Sequence, residues 1–317
     1  MAAPSLRMAF VMDPLASIDI DGDTTFVLML AAQERGHRLW FVDPADLGVA
    51  TGGAVAVAQP VTLQREHGHH YELGPPETLV LDEAFDVIWQ RTDPPVDAEF
   101  ITATQILGLC QQALVLNRPA SVLSENEKLF ALNFRHLMAE TIVSRDRGVL
   151  LAFMDSLGGE MIVKPLDGKG GEGIFHLRRD DRNLISILEQ STRFGERRIM
   201  AQRYLPDVRT GDKRILLVDG QPLGAVLRVP DHGEVRANLH VGGQAAKTAL
   251  DENDRKIVAE VGPWLKERDL FFVGIDVIGG KLTEINVTSP TGIQEMNALD
   301  GARYELRVIE RVEERLA

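Results

Sequence analysis

The sequence has few of the features that mark secreted or membrane proteins. Its 317 residues include a single cysteine, Cys110, which excludes an internal disulfide and predicts a buried thiol in the apolar run ILGLCQQALVL. No apolar run approaches the roughly 20 residues of a membrane-spanning helix. Charged residues interrupt the N-terminal segment where a secretory signal needs an apolar core. These absences predict a cytoplasmic protein without a membrane partner.

Basic residues are also in the minority. Lys and Arg number 34 against 47 Asp and Glu, which gives a formal net charge of −13. General nucleic-acid binding depends on Lys and Arg that meet phosphate groups, so this balance argues against a nucleic-acid partner. It leaves room for a small anionic ligand held by a local basic cluster. The 44% of hydrophobic residues is ordinary for a globular protein, and the length allows one to three domains.

Strands alternate with helices in the first third of the chain. The predicted strands are MAFVMDP, RLWFVD, FDVIWQR and LVLNRP. The predicted helices are TTFVLMLAAQERG, which ends at Gly36, and FITATQILGLCQQ. This order predicts a parallel sheet covered by helices on both faces. Residues 48–73 are interpreted as a small hairpin excursion from that sheet.

The pattern changes near Pro119, where we place the first domain boundary. SENEKLFALNF predicts a new helix, with Ser124 and Glu127 spaced as a capping box. From Glu160 onward the chain consists of short strands and tight turns, and VDGQ and IGGK are hairpin signals. The second half is therefore predicted to be α+β with antiparallel strands. The predicted domains are residues 1–122, 123–200 and 201–317.

A glycine-rich stretch, VKPLDGKGGEGIF, extends from Val163 to Phe175. It lacks the Ser or Thr of a P-loop, and the β-like GIFHL follows it where P-loop and dinucleotide-binding loops require a helix. The stretch is therefore predicted to join two antiparallel strands. Backbone N–H groups without Cβ atoms beside them can approach a phosphate closely, with Lys164 next to the loop, and the loop can close as a lid. The alternative is a solvated turn with a surface lysine.

A second candidate site is VGIDVIGGKLTEINV. Glu284 and Asn286 are two residues apart on a predicted strand and therefore face the same way. A three-residue turn places Asp276 opposite Glu284, whereas a two-residue turn pairs Asp276 with Thr283. Two carboxylates and an amide oxygen suit Mg²⁺, which usually also contacts nucleotide phosphates. The alternative is a polar outer face of a hairpin.

Two further features suggest a large anionic ligand. Five cations lie in polar or glycine-rich settings: Arg91, Lys128, Arg214, Arg228 and Arg236. Each one alone is more typical of a protein surface, and only the set is informative. In MAQRYLP, the residues from Gln202 to Leu205 offer backbone donors and acceptors to a flat heterocycle, although an ordinary core strand is the simpler interpretation.

Together these segments resemble the bacterial glutathione synthetase family of the ATP-grasp superfamily. The matching segments, in chain order, are VMDP, RTDPP with DAEFI, NEKLF, VKPLDGKGG, MAQRYLP, GDKRIL, VGIDVIG and LTEINVTSPTGI. They extend along nearly the whole chain. RTDPP and TEINVTSP separate this family from other ATP-grasp ligases.

The resemblance implies a fold and a reaction. The implied fold is an N-terminal α/β parallel-sheet domain followed by a two-part α+β ATP-grasp domain, with a small lid subdomain and a C-terminal antiparallel-sheet subdomain. The implied enzyme joins γ-glutamylcysteine to glycine, with ATP as co-substrate and Mg²⁺, or Mn²⁺, as cofactor. An acyl phosphate forms on the cysteinyl carboxylate, and ADP and phosphate are released. A homotetramer is also implied.

The resemblance assigns residues to these roles. The implied ATP-binding residues are Lys128, Lys164, Gly168, Lys169, Gly170, Gly171, Gln202, Tyr204 and Leu205. The implied metal ligands are Asp276, Glu284 and Asn286. The implied catalytic residues are Arg214, Arg228 and Arg236, and the implied dipeptide-binding residues are Arg91, Asp13, Arg214 and Arg228. Arg236 lies where the family has a mobile loop over the site.

Three other functions are compatible with parts of the sequence. One is an ATP-grasp ligase for a different carboxylate and amine, which RTDPP and the TSP segment disfavour. Another is a nucleotide-binding regulatory module without turnover, which the intact set Asp276, Glu284 and Asn286 disfavours. The third and most distant is a dinucleotide-dependent oxidoreductase.

Overall fold

Three β-sheets follow one another along the chain. The computed structural model describes residues 5–168, 170–231 and 242–317. Within these ranges the sheets contain seven, four and five strands. Across the same ranges, no helix combines the length and the apolar character needed to cross a membrane.

The first sheet is mostly parallel. Its elements and flanking helices are β1 (Arg7–Val11), α1 (Thr24–Glu34), β2 (Arg38–Ala50), β3 (Gly53–Leu63), β4 (Tyr71–Leu73), β5 (Glu77–Val80), α2 (Leu81–Ala84), β6 (Val87–Gln90), α3 (Ala98–Leu107), β7 (Leu114–Leu116) and α4 (Pro119–Ser124). The strand order is β4-β3-β2-β1-β6-β7, with β5 paired to β3. Strands β2, β1, β6 and β7 are parallel, which confirms the prediction from alternation. The excursion is the antiparallel strand β3 with β4 and β5.

Burial on both faces explains the apolar sequences of the parallel strands. In β1 the side chains from Met8 to Val11 are fully buried, as expected for a sheet covered on both sides. Phe10 of β1 stacks on Trp89 of β6, with ring centroids 6.0 Å apart. Helix α1 begins after Asp23, whose side chain accepts a hydrogen bond from the Phe26 N–H, and ends just before Gly36.

The second sheet is antiparallel throughout. Its elements are β8 (Thr141–Ser144), α5 (Arg147–Ser156), β9 (Glu160–Pro165), β10 (Phe175–Arg178), α6 (Leu184–Ser191) and β11 (Ile199–Gln202). The strand order is β10-β9-β11-β8. The glycine-rich stretch joins β9 to β10, which pair antiparallel, and this confirms that it does not lead into a helix. The sheet has its own core, formed with α5 and α6.

The third sheet is also antiparallel. Its elements are β12 (Asp212–Val218), β13 (Gln221–Val229), β14 (Gln244–Lys247), α7 (Glu252–Glu267), β15 (Phe272–Ile278), β16 (Lys281–Asn286), α8 (Ile293–Asp300) and α9 (Tyr304–Leu316). The strand order is β14-β13-β12-β15-β16. VDGQ forms the predicted hairpin, with positive φ angles of 52° at Asp219 and 71° at Gly220. Helix α9 packs in one core with α1 and β12 and thus joins both ends of the chain.

The predicted helix with a capping box at Ser124 and Glu127 is wrong. Ser124 ends α4, and the next helical segment is a 3₁₀ helix, Phe130–Leu137. Pro119 starts α4 earlier than predicted, because proline is favoured in the first turn of a helix. The bend that follows is organised by Asn126, whose Oδ1 accepts hydrogen bonds from the N–H groups of residues 128 and 129.

Asn117 fixes the first sheet against the third. It follows β7 and is 5% exposed. Its Nδ2 donates to the carbonyl oxygens of Phe272 at 2.9 Å and Val287 at 2.7 Å, and its Oδ1 accepts from the Phe272 N–H at 2.8 Å. These bonds satisfy every polar group of the buried amide, and they hold the ends of β7 and β16 together.

Cys110 lies beyond the end of α3 and is half-buried rather than enclosed. It packs against the apolar cluster of the first sheet. Burial raises the pKa of its thiol to about 12, and the carboxylate of Asp82 adds to the effect. The thiol therefore stays protonated at neutral pH and is a poor nucleophile.

The close approach of two glycines predicts a sensitive position. A methyl group at Gly262 of α7 would collide with the carbonyl oxygen of Gly220 in the β12–β13 turn. We expect Gly262→Ala to lower the free energy of unfolding by about 1–3 kcal/mol, the usual cost of overpacking. Gly52→Ala is the control, because its methyl group would meet only ordinary contact distances. Urea unfolding measures both, and equal stabilities would contradict the packing described here.

Candidate active site

The three sheets enclose a cavity of about 870 Å³. This volume is in the upper range of small-molecule sites. Every predicted site residue within the described ranges lines it: Asp13, Arg91, Lys128, Lys164, Gly168, Gly170, Gly171, Gln202, Tyr204, Leu205, Arg214, Arg228, Asp276, Glu284 and Asn286. Lys169 and Arg236 lie outside the described residues. The fold thus brings together residues from positions 13 to 286.

The hairpin of β15 and β16 places Asp276 directly opposite Glu284. Of the two turns that the sequence left open, the two-residue turn is present, because Ile278 pairs with Lys281. A two-residue turn alone would pair Asp276 with Thr283. A β-bulge at Thr283 adds one residue to β16, however, and Asp276 pairs with Glu284. The Thr283 hydroxyl donates to the Asp276 carbonyl oxygen at 3.1 Å. The bulge therefore keeps both carboxylates on one face.

Asp276 is the centre of a buried ion-pair network. Its Oδ1 accepts from Arg214 Nε at 2.5 Å and its Oδ2 from Arg214 Nη2 at 2.9 Å. Arg228 Nη2 lies 3.0 Å from Asp276 Oδ1. Burial alone raises the pKa of Asp276, but the two guanidinium groups outweigh it and hold that pKa well below its usual range. The carboxylate is therefore ionised inside the cavity.

Asp212 is a further carboxylate that the sequence analysis missed. Its Oδ2 accepts from Arg228 Nη2 at 2.5 Å. Burial, and then repulsion from Asp276, raises its pKa, while Arg228 opposes the shift. Asp212 is two residues before Arg214 on β12, so strand periodicity alone places both on the same face. That periodicity was the signal available in the sequence.

Two lysines line the other side of the carboxylates. Lys128 Nζ lies 2.7 Å from Glu284 Oε1 and donates to the Gly168 carbonyl oxygen at 2.9 Å. Lys164 Nζ donates to the Thr283 carbonyl oxygen at 3.2 Å. Burial raises the pKa of Glu284, but the charges of Lys128 and Lys164 outweigh it and lower the pKa overall. Lys128 thus contacts the glycine loop directly, and both lysines line the cavity together with that loop.

The oxygen atoms of β15 and β16 fit a hard divalent cation. Asn286 donates through Nδ2 to the Gly274 carbonyl oxygen at 3.2 Å and to Asp276 Oδ2 at 3.3 Å, so Oδ1 is the atom that can bind a cation. The described ranges hold no group of three or more His, Cys, Asp or Glu side chains suited to a metal. The candidate protein ligands for a metal in this cavity are instead two carboxylates, of Asp276 and Glu284, and the amide oxygen of Asn286. Such an all-oxygen set suits Mg²⁺.

The cavity lining also includes an aromatic residue, Tyr204. Tyr204 stacks on His176 of β10, with ring centroids 3.9 Å apart and planes at 19°. His176 Nε2 lies 2.7 Å from Glu160 Oε1, and Arg209 Nε donates to the Tyr204 hydroxyl at 3.3 Å. Gln202, at the end of β11, donates to the Thr141 hydroxyl at 2.9 Å. Tyr204 is therefore held rigidly, and a flat ring could pack beside it.

The end of the cavity near the first sheet holds Arg91. Its Nε donates to the Thr25 hydroxyl at 3.0 Å and its Nη2 to the Pro290 carbonyl oxygen at 2.9 Å. Burial lowers the pKa of Arg91 to about 10, although nearby carboxylates oppose this. Asp13 Oδ2 accepts from the Asp93 N–H at 2.9 Å. Arg91 thus stays charged at neutral pH and close to the chain segment after β16.

Comparison with known proteins identifies two matching family profiles. Residues 6–122 match the N-terminal domain of prokaryotic glutathione synthetase, and residues 127–301 match its ATP-grasp domain. The predicted fold class is confirmed by these matches and by the sheets described above.

Individual proteins are similar along nearly the whole chain. A glutathione synthetase of Gloeobacter violaceus is 46% identical over 312 residues, which cover 96% of each chain. One of Xanthomonas campestris pv. campestris is 47% identical over 300 residues, 94% of each chain. A crystal structure of D-cycloserine synthetase DcsG superposes with a TM-score of 0.65 at 18% identity, over 98% of this chain and 100% of that chain. The last similarity shows a shared fold.

The ion-pair network predicts the cost of neutralising Asp276. We expect Asp276→Asn to lower the free energy of unfolding by about 3 kcal/mol or more, because Arg214 loses its buried counter-charge and Arg228 loses one of its two carboxylate partners. Glu189→Gln is the control: its pair with Arg147 is exposed, so the loss should be below about 1 kcal/mol.

A comparison of wild type with Asp276→Asn at different pH values tests the lowered pKa of Asp276. An aspartate whose pKa is lower in the folded protein than in the unfolded chain stabilises the fold at pH values above its unfolded pKa of about 3.9. This stabilisation disappears as the pH falls through the folded-state pKa. The stability difference between wild type and Asp276→Asn should therefore shrink as the pH falls below about 4. A difference that grows as the pH falls below about 4 would contradict the network.

Proposed function

This chain belongs to the prokaryotic glutathione synthetase family, and we propose that its central cavity carries out the family's reaction with the residues assembled there. The chain is an ATP-grasp ligase that forms glutathione from γ-glutamylcysteine and glycine. The observation that carries the residue assignment is the convergence of the glycine loop, two buried lysines and the carboxylates of β15 and β16 on one cavity.

The nucleotide lies between the second and third sheets in this proposal. Lys128 and Lys164 bind its phosphates, and the loop from Gly168 to Gly171 covers them. The positive φ angles at Gly170 and Gly171 support this, because they allow backbone N–H groups to converge without Cβ atoms in the way. The adenine packs along Gln202, Tyr204 and Leu205, where Tyr204 is held by its stack on His176.

Asp276, Glu284 and Asn286 hold Mg²⁺, for which Mn²⁺ can substitute. When bound, the metal neutralises charge on the phosphates. The support is the chemistry of the oxygen atoms, since the buried carboxylate of Asp276, the half-buried carboxylate of Glu284 and the amide of Asn286 line the same cavity, and the pKa values of both carboxylates are lowered.

A carboxylate must be activated before an amine can attack it. A cysteinyl carboxylate oxygen attacks the γ-phosphorus of ATP, and the bond to ADP breaks, which gives an acyl phosphate. The glycine amine then attacks the carbonyl carbon, loses a proton, and inorganic phosphate leaves. Arg214 and Arg228 line the cavity next to Asp276, where they can stabilise the charge that develops on the phosphoryl group.

Three further predicted residues recognise the dipeptide or shield the intermediate. Arg91, which is charged and buried, binds a carboxylate of γ-glutamylcysteine, with Asp13 on the same wall. Arg236 is proposed to help exclude water, which would otherwise hydrolyse the acyl phosphate. Its proposed role rests on the family resemblance.

We also propose the three units predicted above, 1–122, 123–200 and 201–317. The three successive sheets support a division into three units, and the second sheet extends past residue 200 to the end of β11 (Ile199–Gln202). A cytoplasmic homotetramer is proposed on the family resemblance and on the single cysteine, Cys110.

An assay of phosphate release tests the function and the metal ligands together. With ATP and Mg²⁺, release should require both γ-glutamylcysteine and glycine. Glu284→Ala should reduce this turnover by about 100-fold or more, the order of loss when one charge-stabilising group leaves an active site.

Glu252→Ala is the matched control, because Glu252 pairs with Lys256 on the exposed surface of α7 and its loss should not affect turnover. Circular dichroism and thermal unfolding establish that both variants remain folded. Full activity of folded Glu284→Ala would refute the metal assignment. Turnover with another dipeptide and acceptor, but none with this pair, would refute the function.

A further inference from the structure

Three consecutive side chains, Asn126, Glu127 and Lys128, each reach a different part of the cavity wall. Asn126 Nδ2 donates to the Leu166 carbonyl oxygen at 2.9 Å, at the start of the glycine loop. Lys128 contacts the Gly168 carbonyl oxygen of the same loop and the carboxylate of Glu284 on β16. Glu127, between them, points to neither and was predicted as a helix cap. Its observed contacts give it another role.

Glu127 contacts the chain on both sides of Asn286. Its backbone carbonyl oxygen accepts from the Ile285 N–H at 3.1 Å. Its Oε1 accepts three hydrogen bonds, from the Val287 N–H at 2.9 Å, the Thr288 N–H at 3.1 Å and the Thr288 hydroxyl at 2.9 Å. The residues before and after Asn286 are thus tied to one half-buried glutamate 160 positions away.

These contacts occur where β16 ends and regular pairing stops. The last paired residue is Asn286, opposite Gly274, so the N–H groups of Val287 and Thr288 have no strand partner and need another acceptor. A carboxylate oxygen that accepts several backbone N–H groups provides a strong, directional anchor. A shift of this anchor would therefore move Asn286 relative to Asp276.

We infer that Glu127 is a positioning residue that sets Asn286 for binding of the metal–nucleotide complex. The inference rests on the proposed function, because it takes Asn286 as a metal ligand. Groups that orient metal ligands through hydrogen bonds affect metal affinity by about 10- to 100-fold when they are removed. A purely structural role for Glu127 would loosen the whole cavity instead, including the part that binds nucleotide without metal.

Calorimetric titration of the full-length protein with ADP separates these roles. The affinity is measured twice, with Mg²⁺ present and with the metal chelated, and the ratio gives the metal-dependent gain. Glu127→Ala should reduce this gain by about 10-fold or more while it leaves the metal-free affinity unchanged. Glu127→Gln should retain most of the gain, because its amide oxygen can accept the same N–H groups.

Glu125→Ala is the matched control. Glu125 lies two residues earlier and pairs with Arg268 at 3.0 Å, away from the cavity lining. The Glu125→Ala protein should keep the wild-type metal-dependent gain in ADP affinity, even if the substitution lowers the melting temperature. Mn²⁺ in place of Mg²⁺ gives a second titration in which the same order of variants is expected.

Two results would overturn the inference about Glu127. One is a wild-type metal-dependent gain in Glu127→Ala. The other is an equal loss of metal-dependent and metal-free affinity in that variant, which would indicate a structural role. The wild-type protein reports separately on the proposed function: absence of any metal-dependent gain there would refute the metal site, and the inference with it.

Discussion

The site depends on buried charges of opposite sign that are supplied by different strands. Asp276 and Glu284 face each other across the β15–β16 ladder, a placement that is destabilising for two carboxylates on their own. Arg214 from β12 compensates the first, and Lys128 from the segment before the 3₁₀ helix compensates the second. The cavity can therefore hold ionised oxygens at a depth where a single carboxylate would take up a proton.

The two compensating charges come from different parts of the chain, because Arg214 lies on β12 of the third sheet and Lys128 lies in the segment before the 3₁₀ helix. These parts must therefore be held in place against one another. Asn117 ties the end of β7 to β15 and to Val287, and Glu127 ties the same segment to the lysine that faces the glycine loop. Asn117 is buried and Glu127 is half-buried, and both side chains bind backbone groups just beyond the end of β16. The end of that strand is thus where the first sheet, the glycine loop and the proposed metal ligands meet.

Much of this architecture follows from local sequence. Alternating strands and helices predicted the parallel strands of the first sheet, and the β-like residues after the glycine loop predicted a hairpin instead of a helix. Turn residues alone could not give the pairing of Asp276 with Glu284, because a bulge at Thr283 offsets the two-residue turn. A bulge depends on contacts with the neighbouring strand, which no local pattern encodes.

The error at Glu127 has a similar cause. Its spacing from Ser124 matches a capping box, yet the N–H groups at the end of β16 are stronger competitors for its carboxylate. The spacing is visible in the sequence, whereas a contact across 160 positions is not. Asp212 could be predicted from the sequence, because it is two residues before Arg214 on β12 and therefore shares its strand face.

Diffraction from crystals grown with Mn²⁺ and a non-hydrolysable ATP analogue tests the central claim most directly. The anomalous signal of manganese locates the ion without reference to any assumed ligand. The account predicts manganese within coordinating distance of Asp276, Glu284 and Asn286, with the analogue's phosphates beneath the glycine loop. Manganese bound elsewhere in the cavity, with these three side chains still held only by arginine and lysine, would contradict it.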